Sequence, residues 1–495
     1  MTLTPRVNPR KLRPYDEPPK RRRPLIPESP GSAAIGFLVA AAVWFAAATG
    51  LGMLAVGLRI LPPFEFAVEL GVFGLVFTFD GPRVAHAFVN ATAYGWLSNA
   101  GLAAICFMTP RLLGRDLAME KGANLALVIW NLSVAGGITA LYFFETGPHA
   151  SLTAFPWLID GGLALALLIV TGAFVRTAGA RLRSAYISAW FAIVALLSFL
   201  ALTAANAVLG LAPVSDLAVA LGSAYISRAI ETLWLVGTAY AVLYYVVPRA
   251  TGNPLASSGV ATLGWLLWLL MAPLAGLAVA VDTSVPYVVT TIGSVATIVL
   301  MAPAFLAVMN LLQTIRGRWT LALGVGTVPF ALVALAFLLA TVLLQAIGAL
   351  RSVYGFVVGT DWAEGAFVFA ALGAYSFAML ALAEHAQPRL LRRAWGGGIL
   401  AAAQLWPAFA GATLAGVGLI GAGLAQASFR LQAAPPDVVS AGLLPYHVIA
   451  AGGMGLLSLA GLAALLNLFL LYTSAEPIEY AAPSLGTAAA AAGGH

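Results

Sequence analysis

Charge is what this sequence has least of. Only 9% of its 495 residues are Asp, Glu, Lys or Arg, and 61% are hydrophobic, where a soluble domain carries about 25% charged residues. That excludes a soluble domain with an apolar patch: most of the surface is built for lipid. Cysteine is nearly absent. Cys106 stands alone, so no disulfide forms within one chain and no CxxC or Cys/His metal cluster exists. Inside an apolar run, Cys106 reads as a small core residue. Also missing are a Walker loop, a dinucleotide fingerprint after a strand, and an HExxH pair. The net charge of +6 is not a nucleic-acid signal, because the basic residues lie in short connections between apolar runs. The partner this composition implies is the lipid bilayer, with no nucleic acid.

What is present is length of apolar run. A spanning helix needs about 20 predominantly apolar residues. Twelve runs qualify, at 33–56, 84–108, 122–144, 155–175, 186–210, 225–247, 259–281, 287–312, 320–346, 363–384, 398–425 and 444–472. Their continuity excludes the alternating pattern of a membrane β-barrel. The expected fold is an all-α polytopic membrane protein. It has a basic, disordered N-terminal arm (1–30) that is no cleavable signal, a twelve-helix membrane domain (31–473) and a flexible tail (474–495).

Twenty of the 25 basic residues fall in the N-terminal arm and the even-numbered connections, which places both termini in the cytoplasm. The exceptions are Arg59, Arg83, Arg228, Arg351 and Arg430. The phrases MTPRLLGR (108–115), VVPRATGNP (246–254) and AQPRLLRR (386–393) end helices on that basic side. They read either as an internal repeat or as a shared boundary signal, with proline stopping each helix.

Chemistry at membrane depth needs ionisable or metal-binding groups, and these are costly there. Five histidines are present. His495 is the last residue, His149 lies in a loop, His385 sits near the basic end of the tenth run, and His447 opens the twelfth. Only His86 lies just inside a run at a plausible cofactor depth, where it reads as either an interfacial residue or a ligand. Arg228 and Glu231, spaced i and i+3, share one helix face. They form either a structural ion pair or a substrate or proton site. Asp361 and Glu364 suit a helix N-terminus. Asn99, Asn131, Asn206, Gln345, Gln404 and Asn467 read as interhelical hydrogen-bonding groups.

Four segments in order resemble the catalytic subunit I of heme-copper oxidases, most closely the cbb-type cytochrome c oxidases. They are RVAHAFVNATAYGWLSNAGLAAICFMTPRLLGR (83–115), AIETLWLVGTAYAVLYYVVPRATGNPL (229–255), GTDWAEGAFVFAALGAYSFAMLALAEHAQPRL (359–390), and GLAQASFRL (423–431) with PYHVIAAGGMGLLSLAGLAALLNL (445–468). They are similar to the family's helices 2, 6, 10 and 11–12. The resemblance implies a twelve-helix subunit I-like bundle, a bacterial-type inner membrane and a respiratory electron-transport complex. Other complex subunits or a cytochrome c-like protein would be its partners.

It also implies six histidines on helices 2, 6, 7 and 10, holding two hemes and one copper. Aligned on the prolines, five of these positions are vacated: Arg228 on helix 6, Leu274 and Ala275 on helix 7, and Ala366 and Val368 on helix 10. His86 alone matches the helix 2 heme ligand. Apolar side chains donate nothing to a metal, and an arginine repels the cation. The expectation is therefore a homologue without the usual oxygen-reducing centre. No cofactor is assigned, copper is not expected, and the balance is against an enzyme. The alternatives are an oxidoreductase keeping a single heme through His86, and a transporter or channel using Arg228 and Glu231.

Overall fold

A computed structural model describes residues 26–473 except 62–64, 71–74, 146, 148, 281–284 and 394–397. Most of the expected N-terminal arm and all of the expected tail lie outside the described residues. The spans, in chain order, are α1 (Ser32–Gly57), α2 (residues 81–113), α3 (Glu120–Ala140), α4 (Trp157–Arg183), α5 (Ile187–Leu211) and α6 (Asp216–Thr251). They continue as α7 (Ser258–Ala278), α8 (Tyr287–Ile315), α9 (Thr327–Gly348), α10 (Trp362–Leu391), α11 (Gly398–Leu431) and α12 (Pro436–Thr473). Among the described residues, eleven of these are long and apolar enough to cross a membrane.

The one that falls short is α2, which runs continuously but carries His86, Asn90, Thr92, Ser98 and Asn99. Its polarity has a physical reason. Every residue from Asn90 to Thr109 is buried, so this helix meets protein and not lipid. The most apolar windows of α6 and α10 are likewise 89% and 78% buried, against 33–50% in the other spans. Helices α2, α6 and α10 are thus the core, and the remaining helices wrap them.

The three core helices share one construction. Each contains a widened π-helical turn, at Ala91–Leu97, Ile230–Leu235 and Phe369–Tyr375. Each π-turn ends thirteen residues before a proline: Leu97 before Pro110, Leu235 before Pro248, Tyr375 before Pro388. Each helix then closes on a left-handed residue, Gly114, Gly252 or Arg392, whose N–H donates to that proline's carbonyl. The Pro-Arg phrases are therefore more than stop signals; they end a repeated unit recurring every fourth helix.

A wide turn strands backbone carbonyls, and serines recover two of them. Ser98 Oγ donates to Ala93 O at 2.7 Å and Ser376 Oγ to Ala371 O at 2.6 Å. The same hydroxyls accept from indoles of neighbouring core helices. Trp234 Nε1 donates to Ser98 at 2.8 Å, and Trp96 Nε1 to Ser376 at 2.7 Å. The three π-turns are so linked edge to edge inside the bundle.

At the periphery, α11 and α12 pack through Gly411, Gly418 and Gly453, where an added Cβ would meet backbone, at Gly453 that of Ala415. An element absent from the sequence expectation is a β-hairpin in the α1–α2 connection, β1 (Phe66–Leu70) with β2 (Leu75–Phe79). Its Phe77 ring stacks on Tyr142 at 5.5 Å, and Thr78 N donates to Tyr142 O. Alternating apolar runs of five residues are too short to stand out beside helical spans.

Candidate functional site

Two adjoining cavities open around the first turns of α2 and α10 and residues 224–231 of α6, at the end of the bundle opposite the Pro-Arg turns. The larger, about 520 Å³, is lined by His86, Leu152, Arg228, Glu231, Glu364 and Phe367 among others. The smaller, about 300 Å³, reaches α7, α8 and α9 through Ala278, Thr297 and Gln345, and is lined from α10 by Trp362 and Ala366. Arg228, Glu231, Ala363 and Phe367 line both and form the partition between them.

The partition is held by charge. Arg228 Nη1 donates to Glu231 Oε2 at 2.6 Å, and Gln345 Nε2 from α9 donates to Glu231 Oε1 at 2.8 Å. Both ionic side chains are more than four-fifths buried. The i, i+3 spacing in the sequence brings Arg228 and Glu231 together on α6. Gln345 was legible only as a generic polar contact, since nothing local in the sequence ties it to Glu231.

A second charged cluster closes the larger cavity. Arg59, just beyond α1, pairs with Asp361 at 3.1 Å and with Glu364. His447 Nε2, from α12, lies 2.8 Å from Asp361 Oδ2. The sequence suggested helix capping for these carboxylates and a helix-opening position for His447. The structure differs on both counts. Asp361 makes no side-chain cap to its helix, and α12 begins eleven residues earlier, at Pro436, so His447 is buried mid-helix. Long-range partners outcompete the local cap because they bring opposite charge into a poorly hydrated place. Burial raises the Asp361 pKa, but the His447 hydrogen bond and Arg59 outweigh it and hold the carboxyl below its ordinary range.

All five arginines that broke the basic-end pattern find partners here or nearby. Arg59 and Arg228 are as above. Arg83 pairs with Asp80 and donates to Leu141 O, Arg351 sits 3.6 Å above the Tyr287 ring, and Arg430 donates to Val358 O. Three of them, Arg59, Arg83 and Arg228, pair with carboxylates, and Arg351 and Arg430 are held by an aromatic ring and by backbone carbonyls.

The sequence-predicted positions divide. His86, Arg228 and Glu231 meet at the larger cavity, and Ala366 joins Arg228 and Glu231 at the smaller. Leu274, Ala275 and Val368 are not among the residues lining either; Ala275 and Val368 are fully buried and Leu274 is packed against the core. His385 is buried between the Phe107 and Tyr245 rings near the Pro-Arg turn, and His149 lines a separate cavity near the start of α4.

The side chains decide which cofactor fits. Copper in this fold needs clustered imidazoles, but the smaller cavity has no histidine in its lining: its groups are Arg228 with its paired carboxylate Glu231, apolar Ala278 and Ala366, and hydroxyl or amide groups; this donor set does not fit copper. A heme finds one imidazole at the larger cavity, His86, whose Nδ1 is buried without a hydrogen-bond partner. One axial ligand therefore fits there.

The profile of the family described as Cytochrome C and Quinol oxidase polypeptide I matches residues 32–456. The chain belongs to that family. A solved structure of a heme-copper terminal oxidase dimer, determined by cryo-EM, superposes with a TM-score of 0.68 over 90% of this chain and 85% of that one, at 15% identity. Identity that low speaks for the shared fold alone. No curated protein sequence matches. Subunit I architecture accounts for the helix order and for cavities centred on α2, α6 and α10.

Proposed function

We propose that this oxidase subunit I family member is a cbb-type-like subunit that keeps the bundle and its place in a respiratory complex of the inner membrane, with cytoplasmic termini, but does not build the usual heme-copper oxygen-reducing centre. The observation that carries this reading is Arg228. The resemblance aligns Arg228 with the helix 6 copper ligand, and its guanidinium lines both cavities and is committed to Glu231 at 2.6 Å. A permanent cation in that position opposes a metal ion electrostatically. The residue would serve instead as the partner of Glu231 that keeps the partition closed. The test is oxygen consumption by the purified protein supplied with reduced cytochrome c or a quinol. The expected rate equals that of the buffer control, and turnover would overturn the reading.

A second reading has its own observation, the unpartnered His86 Nδ1 beside the larger cavity. His86 would hold one heme, which when bound supplies a one-electron carrier. Phe367 and Leu152 would give it an apolar wall. On this reading His86→Ala abolishes any Soret absorption, and a band surviving the substitution removes His86 from the role.

A further inference from the structure

At the same end of the bundle as the two central cavities, a separate one of about 280 Å³ lies among the ends of α3 and α5 and the start of α4. Phe144, Phe155 and Trp157 give it aromatic walls. Glycines make room for two of them: a Cβ on Gly137 would come within 2.9 Å of Phe155, and one on Gly210 within 3.2 Å of Trp157. Into this cavity Asn206 brings an acceptor. Asn206 is 3% exposed, its Nδ2 donates to Asp160 Oδ2 at 2.7 Å, and its Oδ1 is buried with no hydrogen-bond partner. The bond to a carboxylate fixes which end of the amide carries the oxygen. His149 Nδ1 is likewise buried and unpartnered. Burial holds this imidazole below its ordinary range, so it is neutral near neutrality, and with the proton on Nε2 its Nδ1 accepts. Buried polar atoms left unpaired are costly and rare, so the cavity calls for a donor that the protein does not supply.

Charge says what kind of donor. Glu145 lines the cavity, and Asp160 stands directly behind Asn206. Among the described residues neither carboxylate is ion-paired, and no arginine or lysine lines the cavity. Arg83, close by, is committed to Asp80 and to the carbonyls of Leu141 and Phe144. Unsatisfied acceptors, uncompensated carboxylates and aromatic faces together suit an ammonium group, which offers N–H donors to the first, positive charge to the second and a cation–π contact to the third. No cluster of three metal-ligating side chains is found among the described residues. The flank gives the level. Leu158 in the first turn of α4 and Val208 in the last turn of α5 are each more than three-fifths exposed, and Trp157 is nearly half exposed. Apolar side chains and an indole at the ends of spans mark the headgroup level of the bilayer.

We propose that this cavity binds a primary ammonium group, carried by an ethanolamine lipid headgroup or by a soluble alkylamine. Its N–H groups donate to Asn206 Oδ1 and His149 Nδ1, its charge faces Glu145, and its methylenes lie against Phe155 and Trp157.

The experiment has two arms, both on the full chain in detergent. Native mass spectrometry compares phosphatidylethanolamine with phosphatidylcholine of identical chains, and calorimetry compares pentylammonium with pentanol. Trimethylation removes the N–H donors, so phosphatidylethanolamine should bind about tenfold more tightly than phosphatidylcholine. Pentanol lacks the charge, so pentylammonium should exceed it by about the same factor. A preference in the first arm assigns the ammonium to the bilayer, and a preference in the second alone assigns it to a soluble amine. Whichever appears, Asn206→Leu should remove most of it, and Glu145→Gln should reduce it about threefold. No preference in either arm would overturn the proposal, as would a preference that either variant leaves intact. Pentylammonium that an equal concentration of potassium displaces would also overturn it, marking a general attraction for cations. Should Asn206→Leu fail to fold because Asp160 loses its donor, the exposed Glu145→Gln decides.

Discussion

The two ends of this bundle use charge in opposite ways. At the Pro-Arg end Lys121 pairs with Glu28, both more than half exposed. The arginines there donate to helix-terminal carbonyls, as Arg111 does to Phe107 O and Arg181 to Leu113 O. At the cavity end Arg59, Arg83 and Arg228 face carboxylates, with side chains at most a quarter exposed. Charge at the first end is exposed or spent on backbone carbonyls, at little energetic consequence. Charge at the second is desolvated and mutually dependent, so removing one partner strands the other. The contrast explains why a chain so poor in charge spends much of it around two cavities.

The sharpest way to break the comparison is at the partition. Glu231→Leu leaves Arg228 without its carboxylate and should cost roughly 3–5 kcal/mol of stability, read by thermal unfolding in detergent. Adding Arg228→Met should recover most of that loss. A double variant as unstable as the single one would mean the pair is not an interdependent unit.

Next comes the linkage between core helices. Ser376→Ala removes the acceptor of Trp96 Nε1 and the donor to Ala371 O, for roughly 2 kcal/mol in the same assay. No change would mean that the serine is incidental to the π-turn.

Asp361 gives a pH signature. Its folded pKa lies below the ordinary 3.8, so its stabilisation is present above that pH and is lost as pH falls through the folded value. Asp361→Asn should therefore unfold at lower temperature than wild type near neutrality, with the gap closing below pH 3.8. A gap independent of pH would assign the loss to packing.

The smallest effect belongs to the other end. Lys121→Ala should shift stability by no more than about 0.5 kcal/mol; a loss comparable to that of Glu231→Leu would erase the distinction between the ends.

Much of the architecture could be read from residue pattern, because the long apolar runs and arginine placement report directly on the bilayer. The Pro-Arg phrases even marked the three core helices. What pattern did not carry was their wide turns, since the Ser98–Trp234 and Ser376–Trp96 bonds join residues more than a hundred positions apart. The site was legible in part for the same reason. Arg228 and Glu231 are neighbours along one helix, whereas Gln345 and the Arg59–Asp361–His447 cluster come together only through the fold. Leu274, Ala275 and Val368, placed by counting from prolines, are packed residues and line neither cavity.

The central claim, that this subunit I bundle does not assemble the heme-copper centre, is tested most directly by metal and heme stoichiometry. The detergent-purified chain should be assayed for copper by elemental analysis and for heme as the pyridine hemochrome. The account predicts no copper and at most one heme per chain, with any heme lost in His86→Ala. Two hemes with one copper per chain would contradict it.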